Sequence, residues 1–109
     1  MTVVPKIPKI RRYNFGEALV SVLEECRVQL RRSQEPPCDF RLSYDLTVAV
    51  QALELIEKEI REGSQRPKGQ RSAGFTRYVI DEKTGMVMNA QLREMVVKLE
   101  GIYARYGGA

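Results

Sequence analysis

The stretch FRLSYDLTVAVQALELIEKEIRE, residues 40–62, carries the strongest fold signal in the chain. Its apolar residues recur at alternating spacings of four and three, which is the period of one helix face. These residues are Leu42, Leu46, Ala49, Leu53, Ile56 and Ile60. Asp39 or Ser43 is a suitable N-cap and Gly63 a suitable stop. The pattern therefore predicts a helix over 41–62.

The heptad-like stripe 42–60 on this helix has two interpretations. It forms either a core seam within one chain or a seam between two copies, which would make the protein a homo-oligomer. The opposite face carries Glu54, Glu57, Glu59 and Glu62. We expect this acidic face to be solvated, because charged side chains are rarely buried.

Two further helices are predicted on either side of this one. Residues 15–32 repeat apolar positions at helical spacing, and Asn14 precedes them as a candidate N-cap. Residues 90–106 follow Asn89, which is another good N-cap, and Gly107 ends the pattern. The three amphipathic helices favour a small, mainly α bundle.

The segment between the second and third predicted helices is ambiguous. Thr76, Tyr78 and Val79 favour a strand, and Gly85 suits a tight turn, so a short β-hairpin over 76–88 is the favoured interpretation. The alternative is a short helix over 73–82 with Phe75, Tyr78 and Val79 facing inward. An isolated hairpin is marginal in water and would have to pack on a helix.

The length and composition predict one folded domain. The chain has 109 residues, of which 43% are hydrophobic and 29% charged, which is ordinary for a globular protein. We expect an extended basic arm at 1–14 and a single helical domain at 15–109. No apolar run approaches the ~20 residues of a membrane span, and the N-terminus lacks the apolar region of a secretory signal. The cytoplasm is the expected compartment.

The residue types available for chemistry argue against an enzyme. Histidine is absent, which removes the commonest general base and metal ligand. The two cysteines, Cys26 and Cys38, are too few for a disulfide framework or a four-ligand zinc site. Cys26 falls on an apolar stripe and is expected to be inert, whereas Cys38 lies in a loop, where a reactive or bridged thiol is the minor alternative and the residue types do not decide it. We assign no catalytic residue, cofactor or metal.

The charge distribution is the most informative functional feature. Residues 1–14 sum to +4 and residues 63–80 sum to +4, without an acid in either stretch, whereas the rest of the chain sums to −4. Residues 63–74 form a loop that is long for a compact domain, and long loops are usually functional or disordered. The net charge of +4 therefore understates the asymmetry between two basic segments and an acidic scaffold.

This asymmetry predicts a small non-catalytic accessory or regulatory protein that binds nucleic acid, DNA or RNA, mainly through phosphates. The predicted contact residues are Lys6, Lys9, Arg11, Arg12, Tyr13, Arg66, Lys68, Arg71 and Arg77. The rings of Tyr13, Phe75 and Tyr78 are candidates for stacking on unpaired bases. The alternative is a helical adaptor, inhibitor or antitoxin-like protein that docks on an acidic protein surface. No known nucleic-acid-binding sequence signature is present.

Overall fold

The computed structural model describes residues 9–82 and 85–107. Within these ranges the chain forms a 3-10 turn at Arg12–Asn14 and four α-helices, and it contains no β-strand. The helices are α1 (Phe15–Gln34), α2 (Phe40–Glu62), α3 (Phe75–Asp81) and α4 (Ala90–Tyr106). The expected mainly helical class is confirmed.

Both ends of α2 and the start of α4 follow the capping chemistry that the sequence predicts, whereas the predicted N-cap of α1, Asn14, makes no side-chain cap hydrogen bond. The side chain of Asp39 accepts a hydrogen bond from the Leu42 amide at 3.0 Å, and that of Asn89 accepts one from the Leu92 amide at 3.1 Å. Gly63 ends α2 with a φ of 65°, which favours a residue without a Cβ. The α4 helix has the predicted bounds, whereas α1 ends two residues later and α2 begins one residue earlier than predicted.

The predicted β-hairpin over 76–88 and the predicted count of three helices are not confirmed, because Phe75–Asp81 forms an additional helix, α3. The physical reason is a cap supplied from α4. The carboxylate of Glu100 accepts hydrogen bonds from the amides of Phe75 at 2.9 Å and Thr76 at 2.8 Å. These amides open α3 and have no partner within the helix itself. A partner 25 residues away in sequence therefore decides between helix and strand.

The α2 and α4 helices run parallel to each other. Asp45, near the start of α2, accepts hydrogen bonds from the amides of Val87 and Met88, which directly precede α4. Glu59, near the end of α2, accepts one from the hydroxyl of Tyr103, near the end of α4. The long connection 63–89, with α3 inside it, carries the chain back from the end of α2 to the start of α4.

The α1 helix runs antiparallel to α2. The hydroxyls of Ser33 and Ser43 lie 2.7 Å apart beside the α1–α2 turn, and Arg27 pairs with Glu54 at 2.8 Å further along both helices. The bundle therefore has two distinct ends. We call the one at the starts of α2 and α4 the Asp45 end, and the one at the start of α1 and the ends of α2 and α4 the Glu59 end.

The apolar stripe of α2 forms an intramolecular seam. Leu46, Ala49, Leu53 and Ile56 are fully buried within a single chain. Leu42 and Ile60, at the two margins of the stripe, are half-buried and pack against the same core. A second copy cannot reach the four buried positions while the bundle is closed, and a homo-oligomer stays a prediction.

Candidate nucleic-acid interface

The predicted basic arm is attached to the bundle through residues 9–14, which we call the arm root. Ile10 is buried in the core at 4% exposure. The side chain of Asn14 accepts a hydrogen bond from the Arg11 amide at 2.7 Å and donates one to the Lys9 carbonyl at 3.0 Å. These contacts fix the backbone of the root while the side chains of Lys9 and Arg11 stay exposed. Asn14 thus holds the root rather than capping α1 through its side chain.

Arg12 connects the arm root to the end of α4. Its guanidinium carbon lies 4.2 Å from the ring centroid of Tyr106, which is a cation–π distance. Tyr106 is 45% exposed and Tyr13 is 84% exposed. The Glu59 end therefore presents two accessible aromatic rings beside basic side chains.

The basic loop, residues 63–74, is ordered by its own arginines. Arg66 Nε lies 2.9 Å from a carboxylate oxygen of Glu59, and Arg66 also donates to the Ser72 carbonyl at 3.0 Å. Arg71 Nε donates to the Arg66 carbonyl at 2.7 Å. Gly69 makes the turn with a φ of 96°. The loop therefore folds around the two arginines and does not extend as a free strand.

The loop and the arm root meet at the end of α4. A Cβ placed on Gly107 would lie 3.5 Å from the guanidinium carbon of Arg71. The side chain of Gln65 donates to the Gly107 carbonyl at 3.1 Å. Because Arg12 covers the preceding residue, Tyr106, side chains from both basic segments contact consecutive residues at the end of α4, the last helical residue Tyr106 and the C-cap Gly107. The two segments, whose nearest residues are 49 positions apart in sequence, therefore meet at the end of α4.

Not all of the predicted contact residues come together at this surface. Lys6 lies outside the described residues. Arg77 is on α3, where it pairs with Asp81 at 3.2 Å. Lys9, Arg11, Arg12, Tyr13, Arg66, Lys68 and Arg71 belong to the arm root or the basic loop.

Two of the three predicted stacking rings are not available. Phe75 is fully buried, and Tyr78 is half-buried with its hydroxyl donating to Asp45 at 2.5 Å. Both rings are held by the packing of α3 on the bundle. Tyr13 remains accessible, and Tyr106, the last residue of α4, is the second accessible aromatic residue at the Glu59 end.

Three carboxylates are buried that the sequence does not mark as buried. Asp45, Glu59 and Glu100 are 0%, 8% and 4% exposed, so the expected solvated position of Glu59 is wrong. Each carboxylate accepts hydrogen bonds that pay for its burial. Their partners lie in α3, in α4 or just before α4. Spacing along α2 gives no signal for partners so distant in sequence.

The tyrosine partners have raised pKa values. Burial, followed by the hydrogen bond to Glu59 and its charge, raises the pKa of Tyr103 to about 12. Burial and then the hydrogen bond to Asp45 raise the pKa of Tyr78 well above its usual range. Both hydroxyls therefore stay protonated at neutral pH and act as hydrogen-bond donors, not as general bases.

The two cysteines differ in their exposure. Burial, followed by the charge of Glu25, raises the pKa of the Cys26 thiol to about 12, which removes its thiolate at neutral pH. Cys38 is exposed and free. Residues 9–82 and 85–107 hold no group of three or more His, Cys, Asp or Glu side chains that could bind a metal ion.

A cavity lies between the basic loop and α4, next to this surface. Its volume is about 460 Å³. Lys68, Arg71 and Arg105 line it together with the small residues Gly101 and Ala104. Arg105 lies in the last turn of α4 and adds a cation that the sequence analysis did not select.

Comparison of the chain with protein-family models, with curated proteins and with solved structures finds no match. No helix in the described ranges has both the length and the hydropathy needed to cross a bilayer.

Proposed function

We propose that the protein is a small non-catalytic accessory or regulatory factor that binds nucleic acid through phosphate contacts at the Glu59 end. The observation that carries the proposal is the meeting of Arg12 and Arg71 at Tyr106 and Gly107. It joins two basic segments into one surface, which a phosphate backbone can contact at several points. We expect the protein to act in the cytoplasm.

The carboxylates at the Glu59 end are arranged in a way that supports this proposal. Glu59 and Glu100 are almost fully buried and accept hydrogen bonds from protein groups. The exposed acids, Glu17 and Glu62, lie on helices rather than on the arm root or the loop. Lys9, Arg11 and Lys68 are all exposed. The cations of the arm root and the loop are therefore the groups that a polyanion meets first there.

Binding through phosphate contacts predicts a specific dependence of affinity on salt concentration. Each neutralised phosphate contributes a slope of about −0.7 for single strands and about −0.9 for duplexes in a plot of log affinity against log salt. Because such contacts do not read bases, affinity should vary little with sequence.

The test is a fluorescence anisotropy titration of the full chain against labelled single-stranded and duplex DNA at several salt concentrations. We expect the double variant Arg11→Ala/Lys68→Ala to reduce the magnitude of the salt slope by about two phosphate contacts. The matched control is Arg31→Ala/Lys98→Ala, which removes two exposed cations from other parts of α1 and α4. A flat salt response of the native chain, or an equal loss in both double variants, would contradict the proposal.

A second candidate function is a helical adaptor, inhibitor or antitoxin-like protein that docks on an acidic protein. The Asp45 end favours it, because Phe40 is 80% and Tyr44 is 60% exposed there. Exposed aromatic rings are typical of protein interfaces, and phosphate binding does not explain them. In that case Phe40→Ser/Tyr44→Ser and truncation of residues 1–12 would each abolish a protein complex and leave affinity for DNA unchanged.

A further inference from the structure

The cavity between the basic loop and α4 has the dimensions of a ligand site. Its volume of about 460 Å³ falls within the roughly 300–1,000 Å³ of small-molecule pockets. Gly101 and Ala104 provide a wall of small residues on α4, so a planar group can approach the helix closely. Lys68 and Arg71 from the loop, with Arg105 from α4, supply positive charge.

One carboxylate, that of Glu100, also lines this cavity. Both of its oxygens accept hydrogen bonds from the first amides of α3, and the residue is only 4% exposed. Its hydrogen-bonding capacity is therefore directed toward α3. Three cations face this single carboxylate around the cavity, which leaves an excess of positive charge for an anionic group.

Arg71 is positioned before any ligand arrives. Its Nε donates to the Arg66 carbonyl at 2.7 Å, and Arg66 is in turn paired with Glu59. A guanidinium group held in this way loses less freedom on binding than an unrestrained side chain. Its planar face is suited to stacking on a base, and its remaining N–H groups are suited to a phosphate.

We infer that this cavity receives one unpaired nucleobase of a single-stranded nucleic acid, while Lys68, Arg71 and Arg105 bind its phosphate. The inference rests on the proposed function and adds a preference to it. A base that is paired in a duplex cannot enter the cavity without leaving its stack. The phosphate contacts at the arm root serve single and double strands alike, whereas the cavity serves only the single strand.

The test fills the cavity without changing any charge. A Cβ placed on Gly101 meets no atom within 4 Å, so Gly101→Leu can extend a side chain into the cavity. Gly16 on α1 is the matched control, because it is also exposed, helical and free of neighbours within 4 Å of a Cβ. Both substitutions replace a helical glycine by a stronger helix former, so the fold should be retained. Thermal unfolding of both variants checks this.

The probes are a labelled single strand of about 12 nucleotides, within the site sizes of single-strand binders, and a duplex of the same length. We expect Gly101→Leu to weaken single-strand binding about tenfold, which is the scale of one stacked base. Its duplex affinity, and both affinities of Gly16→Leu, should stay at the native level.

The outcomes separate this inference from the proposed function. If the native chain binds both probes and Gly101→Leu binds the single strand with native affinity, the cavity is not a base site and the phosphate surface still stands. An equal loss on both probes also overturns the base site. If the native chain binds neither probe, the proposed function and the base site fail together.

Discussion

Each end of the bundle contains a buried carboxylate of α2, and different groups contact the carboxylate at the two ends. Each of these carboxylates accepts a hydrogen bond from a tyrosine hydroxyl at 2.5 Å. The donor is Tyr78 for Asp45 and Tyr103 for Glu59. The remaining capacity of Asp45 is taken by the amides of Val87 and Met88. A carboxylate oxygen of Glu59 lies 2.9 Å from Nε of Arg66 and forms an ion pair with it.

The Asp45 end is therefore held by backbone groups, whereas the Glu59 end depends on the side chain of a loop residue. Backbone amides hold the Asp45 end, and Arg41 strengthens the grip by donating to the Gly85 carbonyl at 2.7 Å. At the Glu59 end, Arg66 supplies the second partner and also organises the basic loop. The charge that the sequence analysis assigned to phosphate binding therefore serves in part as an internal counter-ion.

The largest expected loss in the free energy of unfolding comes from a substitution at the Asp45 end. Asp45→Ala leaves two amides, a tyrosine hydroxyl and the nearby Arg41 without their common acceptor. We expect the free energy of unfolding to fall by about 3–5 kcal/mol. Urea unfolding followed by far-ultraviolet circular dichroism measures it, since the chain has no tryptophan.

The control for this change is Glu54→Ala. Glu54 is an acid of the same helix whose partner Arg27 is also partly exposed. Surface pairs of this kind contribute about 0–1 kcal/mol. Equal effects of the two substitutions would show that the buried network at Asp45 is not what holds this end.

An intermediate effect is expected at the Glu59 end from Arg66→Ala. It removes the ion pair with Glu59 and the bond to Ser72, so the free energy of unfolding should fall by about 1–3 kcal/mol. Lys68→Ala is the control in the same loop, and its effect on stability should stay within about 0.5 kcal/mol. Lys68→Ala should instead weaken DNA binding. If Arg66→Ala leaves the free energy of unfolding unchanged, the ion pair with Arg66 does not stabilise the buried Glu59.

The smallest expected effect at neutral pH comes from Tyr103→Phe. It removes one hydrogen bond to Glu59, at a cost of about 1 kcal/mol. Because the pKa of Tyr103 is raised from 10.0 to about 12 in the folded chain, its contribution is complete below pH 10 and is lost as the pH rises toward 12. The native chain should therefore lose its advantage over Tyr103→Phe across this window.

Urea titrations at a series of pH values from neutral to alkaline measure that crossover. Tyr44→Phe is the control, because Tyr44 is 60% exposed. Tyr78 and Cys26, which also have raised pKa values, are present in every variant and cancel from the difference. A constant gap between the native chain and Tyr103→Phe at all pH values would contradict the assignment.

The three long helices could be predicted because their signals are local. The stripe of α2 and the caps Asp39 and Asn89 lie within a few residues of the structure that they specify. The α3 helix could not be predicted with the same certainty, because its first amides are capped by Glu100 on α4. Glu59 was misplaced for a similar reason, since its burial depends on Tyr103 and Arg66.

The candidate site also has features that the sequence shows and features that depend on helix packing. The segments that carry positive charge are visible in the sequence because charge is a property of single residues. Their meeting at Tyr106 and Gly107, the cavity beside Arg105 and the internal pairing of Arg66 all depend on how three helices are placed. Residue types alone do not distinguish a cation that faces solvent from one that balances a buried acid.

The parallel course of α2 and α4 has an electrostatic consequence for the Glu59 end. Both helices direct their C-terminal carbonyls toward it, and each helix dipole places about half a negative charge at that terminus, whereas the start of α1 contributes about half a positive charge there. About half a negative charge therefore remains from the backbone. Arg66, Arg71 and Arg105 therefore lie in a field that the backbone itself creates. A phosphate approaching this end meets a weaker positive potential than the side-chain charges imply. The measured salt slope should accordingly count fewer phosphates than the end has cations.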